Sequence, residues 1–176
     1  MSKQEALLRS MRAHLATLDE KERLVYAARL LWRSPYTWGG ETIAGTDCSG
    51  SIFFSLYLLG YNVRTTAHEL YTSMTLPLSR APEAGDLAFW FHPGKDKVRH
   101  VAWFSDKMVI LDADKKFMDV PIGQEIQERY NQRFEARQLD MDQVLRYSKE
   151  GSKAYGVSGE LANLKGVFNL EDTWQT

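Results

Sequence analysis

The hydrophobic period of this chain changes near residue 85, and that change restricts the fold more than any other feature. Upstream, apolar residues recur at helical spacing. Leu7, Leu8, Met11 and Leu15 fall on one side of residues 4–17. A second helix is expected after Asp19, with Glu22 at capping-box spacing and Leu24, Ala28, Leu31 and Trp32 on its apolar face. It should stop at "SP", because Pro35 disfavours helix at Ser34. "YTWGG" reads as a short extended piece ending in a bend. Thr46 or Asp47 can cap a third helix, which carries Ile52, Phe53, Leu56 and Leu59 and ends at Gly60. Thr66 and Glu69 frame a short fourth helix. Downstream, "DLAFWF" reads as a strand, and "VRHVAWF" and "KMVILDA" as two strands joined by a very short turn. From Val120 onward helix or coil is expected, with helical support in "DMDQVLRYSKEG"; the tail after Gly151 has too weak a period to assign. Helices first and strands later predict an α+β domain.

The 176 residues suit one domain, or one domain with extensions, and 44% hydrophobic with 26% charged residues is an ordinary globular balance. A net charge of -1 gives no basic excess for nucleic acid or an anionic membrane. The charged N-terminus lacks the apolar core of a secretory signal, and no apolar run approaches the ~20 residues of a membrane helix. The expected compartment is therefore cytoplasmic, unless other machinery delivers the protein to the cell wall.

Cys48 is the only cysteine, so it has no internal disulfide partner. With Thr46 or Asp47 as cap, it lies in the first helical turn, where unpaired amides and the helix dipole favour a thiolate. Thiol pKa values in such places fall from ~8.5 to between ~3.5 and ~7.5. A buried, inert thiol is the common fate of a lone cysteine. The position beside "GTD" favours the reactive reading.

A thiol nucleophile needs a base, and there are four histidines. His14, His68 and His92 fall on helix faces or in a loop and read as surface residues. His100 lies inside a predicted strand. If the hairpin turns about Asp106, Phe104 pairs with Lys107 or with Met108, and the second register sets His100 opposite Asp112. Both side chains then share a sheet face, ~5 Å apart at Cβ, within reach of an imidazole–carboxylate hydrogen bond. A one-residue slip would turn Asp112 away. A purely structural His–Asp pair is the competing reading. The order cysteine, histidine, polar residue is that of papain-like proteases.

The run "PYTWGG…GTDCSGSIFFSLYLLGYNVRTTA…GDLAFWF…RHVAWFSDKMVILDA" resembles the NlpC family of papain-like cell-wall cysteine peptidases. The aromatic "YTWGG", "DCSG" opening a helix, "RT", "GDL" opening a strand and "HV" opening a hairpin occur in the family's order, and "RYNQRFEAR" resembles the strand that closes its sheet. The resemblance covers roughly residues 20–138. It implies a papain-like fold, in which a nucleophile-bearing helix packs on an antiparallel sheet. Residues 1–19 and 139–176 are then helical N- and C-terminal extensions.

By the same resemblance, Cys48 matches the nucleophile, His100 the general base, and Tyr36 a tyrosine that assists the oxyanion. Asp47 and Ser49 match positions that, in some members, bind the free amine of the stem peptide's L-alanine. Asp112 falls on the third catalytic position, which in many members is a second histidine. Trp38, Trp90 and Trp103 are candidates to line a groove, although bulky aromatics are more often core. The implied substrate is a peptidoglycan stem peptide or muropeptide, cut between D-glutamate and the following diamino acid through a thioester. No cofactor is required, and no cysteine–histidine cluster has zinc-ligand spacing. An amidase or acyltransferase on the same fold, and a non-catalytic phage or assembly module, are the alternatives.

Overall fold

The computed structural model describes residues 2–42, 45–113, 116–151 and 159–168. Four capped helices occupy the first half: α1 (Lys3–Ala16), α2 (Glu20–Arg29), α3 (Cys48–Leu58) and α4 (Ala67–Met74). Ser2 and Glu5 form a capping box on α1, and Asp19 and Glu22 form the one expected on α2. Asp47, not Thr46, caps α3 by accepting the Gly50 N–H at 2.6 Å. Thr66 caps α4 through the Glu69 N–H at 3.1 Å.

Helix α3 is the centre of the molecule. Its sequence, with three serines and a glycine among aromatics, is a poor intrinsic helix former. Burial decides the matter, because Ile52, Phe53, Phe54, Leu56 and Leu58 are all enclosed. Each contributes about 1.5–3 kcal/mol, against propensity losses of at most ~1 kcal/mol per residue. The stripe expected on α1 is only partly used: Leu15 is buried, whereas Leu7 is 61% exposed. Trp32 also departs from expectation, since α2 ends at Arg29 and leaves the indole 45% exposed.

A two-stranded ribbon, β1 (Glu41–Thr42) with β2 (Gly45–Thr46), precedes α3. The main sheet comprises β3 (Thr75–Pro77), β4 (Leu87–Phe91), β5 (Val98–Asp106), β6 (Val109–Ala113), β7 (Phe117–Pro121) and β8 (Phe134–Leu139). Its order is β3-β8-β4-β5-β6-β7, and each pair is antiparallel. Strand β8, from the "RFEAR" segment, therefore lies between β3 and β4. Strand β7 was not foreseen; its Phe117 is buried and exchanges backbone hydrogen bonds with Arg33 and Ser34.

Alternation along the strands builds two apolar layers. Leu87, Phe89, Val101 and Trp103 join the main core with α3, and the Trp103 indole N–H donates to the Ser51 carbonyl at 3.4 Å. Ala88, Trp90, Ala102, Phe104 and Ile110 face the other way, where Ile122 of α5 (Ile122–Glu128) covers them. Trp90 and Trp103 are thus core residues and line no groove. Helix α6 (Met141–Arg146) runs on into a π-helical turn, Tyr147–Gly151. The tail left unassigned from sequence contains α7 (Gly159–Phe168), whose Leu161 and Phe168 are buried in the core that includes α3 and whose Gly166 carbonyl accepts from Arg12 of α1 at 3.2 Å. Residues 152–158 and 169–176 of that tail lie outside the described residues.

The hairpin register differs from expectation in a way that preserves its consequence. Trp103 pairs with Leu111 and Phe104 with Ile110, and a bulge at Ser105 leads to Asp106 opposite Val109. Phe104 is therefore two residues away from the expected partner, Met108. A shift of two keeps every side chain on its face, whereas a shift of one would invert them.

The approach of the Gly39–Gly40 loop to α3 needs a glycine at position 50. A Cβ there would lie 1.9 Å from the Gly40 carbonyl oxygen. Gly50→Ala is expected to lower stability by about 1–3 kcal/mol in urea denaturation, through backbone displacement at the start of α3. An unchanged midpoint would show that the loop does not pack this closely.

Candidate active site

The site is assembled around the N-terminus of α3. Capping by Asp47 places Cys48 in the first turn, and the thiol is half-buried. Asp47 also fixes the preceding loop: its Oδ2 accepts the Gly39 N–H at 2.8 Å, and its own N–H donates to the Gly40 carbonyl at 2.9 Å. Gly39 adopts φ 74°, a conformation that glycine reaches without strain. A bridge between Tyr36 and Thr46 brings Tyr36 alongside the same junction, partly exposed. Trp38, on this loop, is 88% exposed.

His100, near the start of β5, meets both Cys48 and Asp112. Its Nε2 is hydrogen-bonded to Asp112 Oδ1. Its ring also stands close enough to Cys48 for each to shift the other's proton affinity. In the register of the hairpin Asp112 faces Ala102, so the imidazole reaches it diagonally across the shared face. The Trp90 ring packs beside the imidazole, with centroids 5.6 Å apart. Of the other histidines, His68 is not a free surface residue: its Nδ1 accepts the Val98 N–H at 3.2 Å and ties α4 to β5.

The electrostatics follow from this burial and pairing. Burial pushes the Cys48 thiol up, but the hydrogen bond and charge of His100, with the Val101 N–H, outweigh it and hold the thiol below its ordinary value. Burial alone would lower His100; the charge and hydrogen bond of Asp112, then Cys48, lift it to about 9. Burial would raise Asp112, but the charge and hydrogen bond of His100, with help from Arg129 and Glu125, keep it below the usual carboxylate range. The arrangement favours thiolate, imidazolium and carboxylate in a row.

Two residues of this neighbourhood carry roles that the sequence reading did not assign. Arg64, in the "RT" segment, donates to Ser49 Oγ at 2.9 Å and pairs with Asp47 and Glu41 at 3.4 and 3.1 Å. Asp47 and Ser49 are therefore already engaged by a guanidinium, and the electrostatics beside Cys48 include a cation. Its strategic spacing after "DCSG" was visible, its partners were not. Glu125, buried on α5, contacts Asp112 and pairs with Arg129 one turn on. The only sequence signal for it is the i,i+4 spacing of that pair.

The NlpC/P60 family profile matches residues 33–139, more than half of the chain. The chain belongs to the NlpC/P60 family. That family consists in general of peptidoglycan hydrolases of the cysteine peptidase type, with some non-catalytic members. This member is 38% identical over 68 residues to the probable peptidoglycan endopeptidase LytE of Bacillus subtilis strain 168, a match over 39% of its own length and 20% of LytE. The structure of an NLP/P60-family protein similar to lipoprotein, from Staphylococcus aureus, superposes with a TM-score of 0.58 at 20% identity, covering 69% of this chain and 42% of that one. RipD of Mycobacterium tuberculosis, described as a non-catalytic NlpC/P60 domain protein adapted to peptidoglycan binding, superposes at 0.53 with 17% identity, covering 69% and 98%. The fold of this NlpC/P60 protein is accordingly papain-like α+β. No helix among the described residues is long and apolar enough to cross a membrane.

The charge pattern predicts how the thiol reacts with iodoacetate, an anion that imidazolium attracts. The rate should rise at lower pH than for a free thiol peptide, because the Cys48 value is depressed, and should fall as His100 loses its proton near about 9. A rate that tracks the free peptide across the range would remove the ion pair.

Proposed function

We propose that this protein is a cysteine endopeptidase that hydrolyses amide bonds of peptidoglycan stem peptides, at the D-glutamyl–diamino acid bond, within a catalytic unit of residues 20–138. The observation that carries the reading is the buried, hydrogen-bonded pair of His100 and Asp112 set beside Cys48 in the first turn of α3, where His100 holds the thiol below its ordinary value. The likeness to LytE supports the substrate class.

The Cys48 thiolate attacks the amide carbonyl, forming a C–S bond and an oxyanion. The Cys48 backbone N–H at the start of α3 stabilises that oxyanion, with the Tyr36 hydroxyl assisting. As the C–N bond breaks, His100 gives its proton to the leaving amine and becomes neutral. Water then gives a proton to His100 while its oxygen attacks the thioester; the acid product leaves, and thiolate and imidazolium are regenerated. Asp112 holds the ring orientation and stabilises imidazolium throughout. Asp47 and Ser49, organised by Arg64, and Trp38 on the exposed loop contribute to substrate binding.

Digestion of defined muropeptides, followed by product masses, tests this. Wild type should release the peptide beyond D-glutamate, and Cys48→Ala should lose at least about a thousandfold in kcat/KM. Asp112→Asn should lose at least about a hundredfold while still folding, since an amide cannot stabilise imidazolium as a carboxylate does. Binding to peptidoglycan without cleavage of any stem peptide would replace this reading with a binding role like that described for RipD.

A further inference from the structure

Asp112 has one oxygen on His100, and its other oxygen, Oδ2, is buried without a hydrogen-bond partner among the described residues. An orphan acceptor in a catalytic carboxylate is costly and leaves the group free to rotate. Glu125 of α5 is the group placed to complete it. It is only 2% exposed, and one oxygen of Glu125, one of Asp112 and a ring nitrogen of His100 lie within 4.8 Å of one another. The Arg129 Nε donates to Glu125 Oε1, which anchors the carboxyl group beside the orphan. The Arg129 guanidinium in turn stands 5.7 Å from the centroid of Trp90, the ring that packs on His100.

We propose that Glu125 is a positioning residue of this site: anchored by Arg129, its carboxylic acid donates a hydrogen bond from Oε2 to Asp112 Oδ2 and fixes the carboxylate that orients His100. The inference rests on the peptidase reading for its consequence in catalysis, but its geometry does not. Two ionised carboxylates in contact in a dry site repel, so one of the two keeps a proton. The groups that face Glu125 decide which: Asp112 from β6 and His100 from β5, with Arg129 from its own helical segment. Asp112 is stabilised as an anion by the His100 cation. Glu125 is raised by burial and by the Asp112 charge, against the opposing pull of Arg129. The proton sits on Glu125, and charges alternate from Cys48 to Arg129 with a neutral acid between Asp112 and the guanidinium. The same three side chains do not present a ready metal site, because His100 Nε2 is already bonded to Asp112 and Glu125 to Arg129.

Iodoacetate reactivity of Cys48 across pH tests the role without requiring any substrate. Glu125→Leu should narrow the reactive window from both sides and lower its maximum by about tenfold, because a loosened Asp112 supports imidazolium less well. Glu125→Gln, whose amide offers the same donor to Asp112 and acceptor to Arg129, should restore most of the window. Infrared difference spectra near neutral pH should show a protonated carboxylic acid band in wild type that Glu125→Gln removes; this decides the matter even if Glu125→Leu does not fold. Loss in Glu125→Gln as deep as in Glu125→Leu would overturn the proposal in favour of an ionised carboxylate, as would absence of the acid band. A Glu125→Leu profile that superposes on wild type would reduce Glu125 to a packing role. A narrowed window in a protein that cleaves no muropeptide would leave Glu125 in place and remove the peptidase reading alone.

Discussion

The carboxylate of Asp47 joins the glycine loop before α3, the start of α3 and the segment that follows it. It accepts one of the open amides at the start of α3, the Gly50 N–H, holds the Gly39 N–H of the preceding loop, and accepts the guanidinium of Arg64. Each contact alone is a modest interaction, about 0.5–2 kcal/mol for a cap. Together they fix where α3 begins, and the position of Cys48 relative to β5 depends on that beginning. If α3 started one residue later, Cys48 would leave the first turn and lose both the helix dipole and its reach to His100. Gly50 serves the same end, since it lets the loop carbonyl of Gly40 come against the helix.

The second constraint is electrostatic. Cys48, His100, Asp112 and Glu125 are four titratable groups in an enclosed region, and isolated charges there would cost several kcal/mol each. Alternation of sign makes the arrangement tolerable, and Arg129 supplies the last cation. This couples protonation to folding. Because His100 is raised to about 9, its contribution to stability is complete below the ordinary histidine range and is lost as pH rises through about 9. Asp112 is depressed, so its contribution holds above the usual carboxylate range and is lost as pH falls through its lowered value. The pair is strongest between those limits.

Much of the molecule could be read from local signals. Caps are short-range, so Asp19 with Glu22, Asp47 and Thr66 marked three helix starts correctly. The shared face of His100 and Asp112 survived an incorrect register because strand period is two and the error was two residues. What failed depended on distant partners. The bulge at Ser105 leaves no sequence signal, and β7 is short and buries only Phe117. Helix α7 has a weak apolar period and gains order from α3 and α1, which lie more than a hundred residues upstream. Glu125 was hidden for the same reason: a glutamate on a short helix is ordinarily a solvated residue, and only tertiary packing puts it beneath Asp112.

Buried Asp112 has one oxygen on His100 and one without a partner among the described residues, and Glu125 lies beside it. A carboxylate bonded to imidazolium stabilises the cation strongly and lifts the ring to about 9. In the proposed arrangement a hydrogen bond from Glu125 to the far oxygen of Asp112 keeps the carboxylate from turning and so sustains its support of the His100 cation. A neutral partner at position 112 would leave no buried anion to solvate. Asp112 and Glu125 then act as one unit, in which the first residue supplies the field on His100 and the second holds that residue in place.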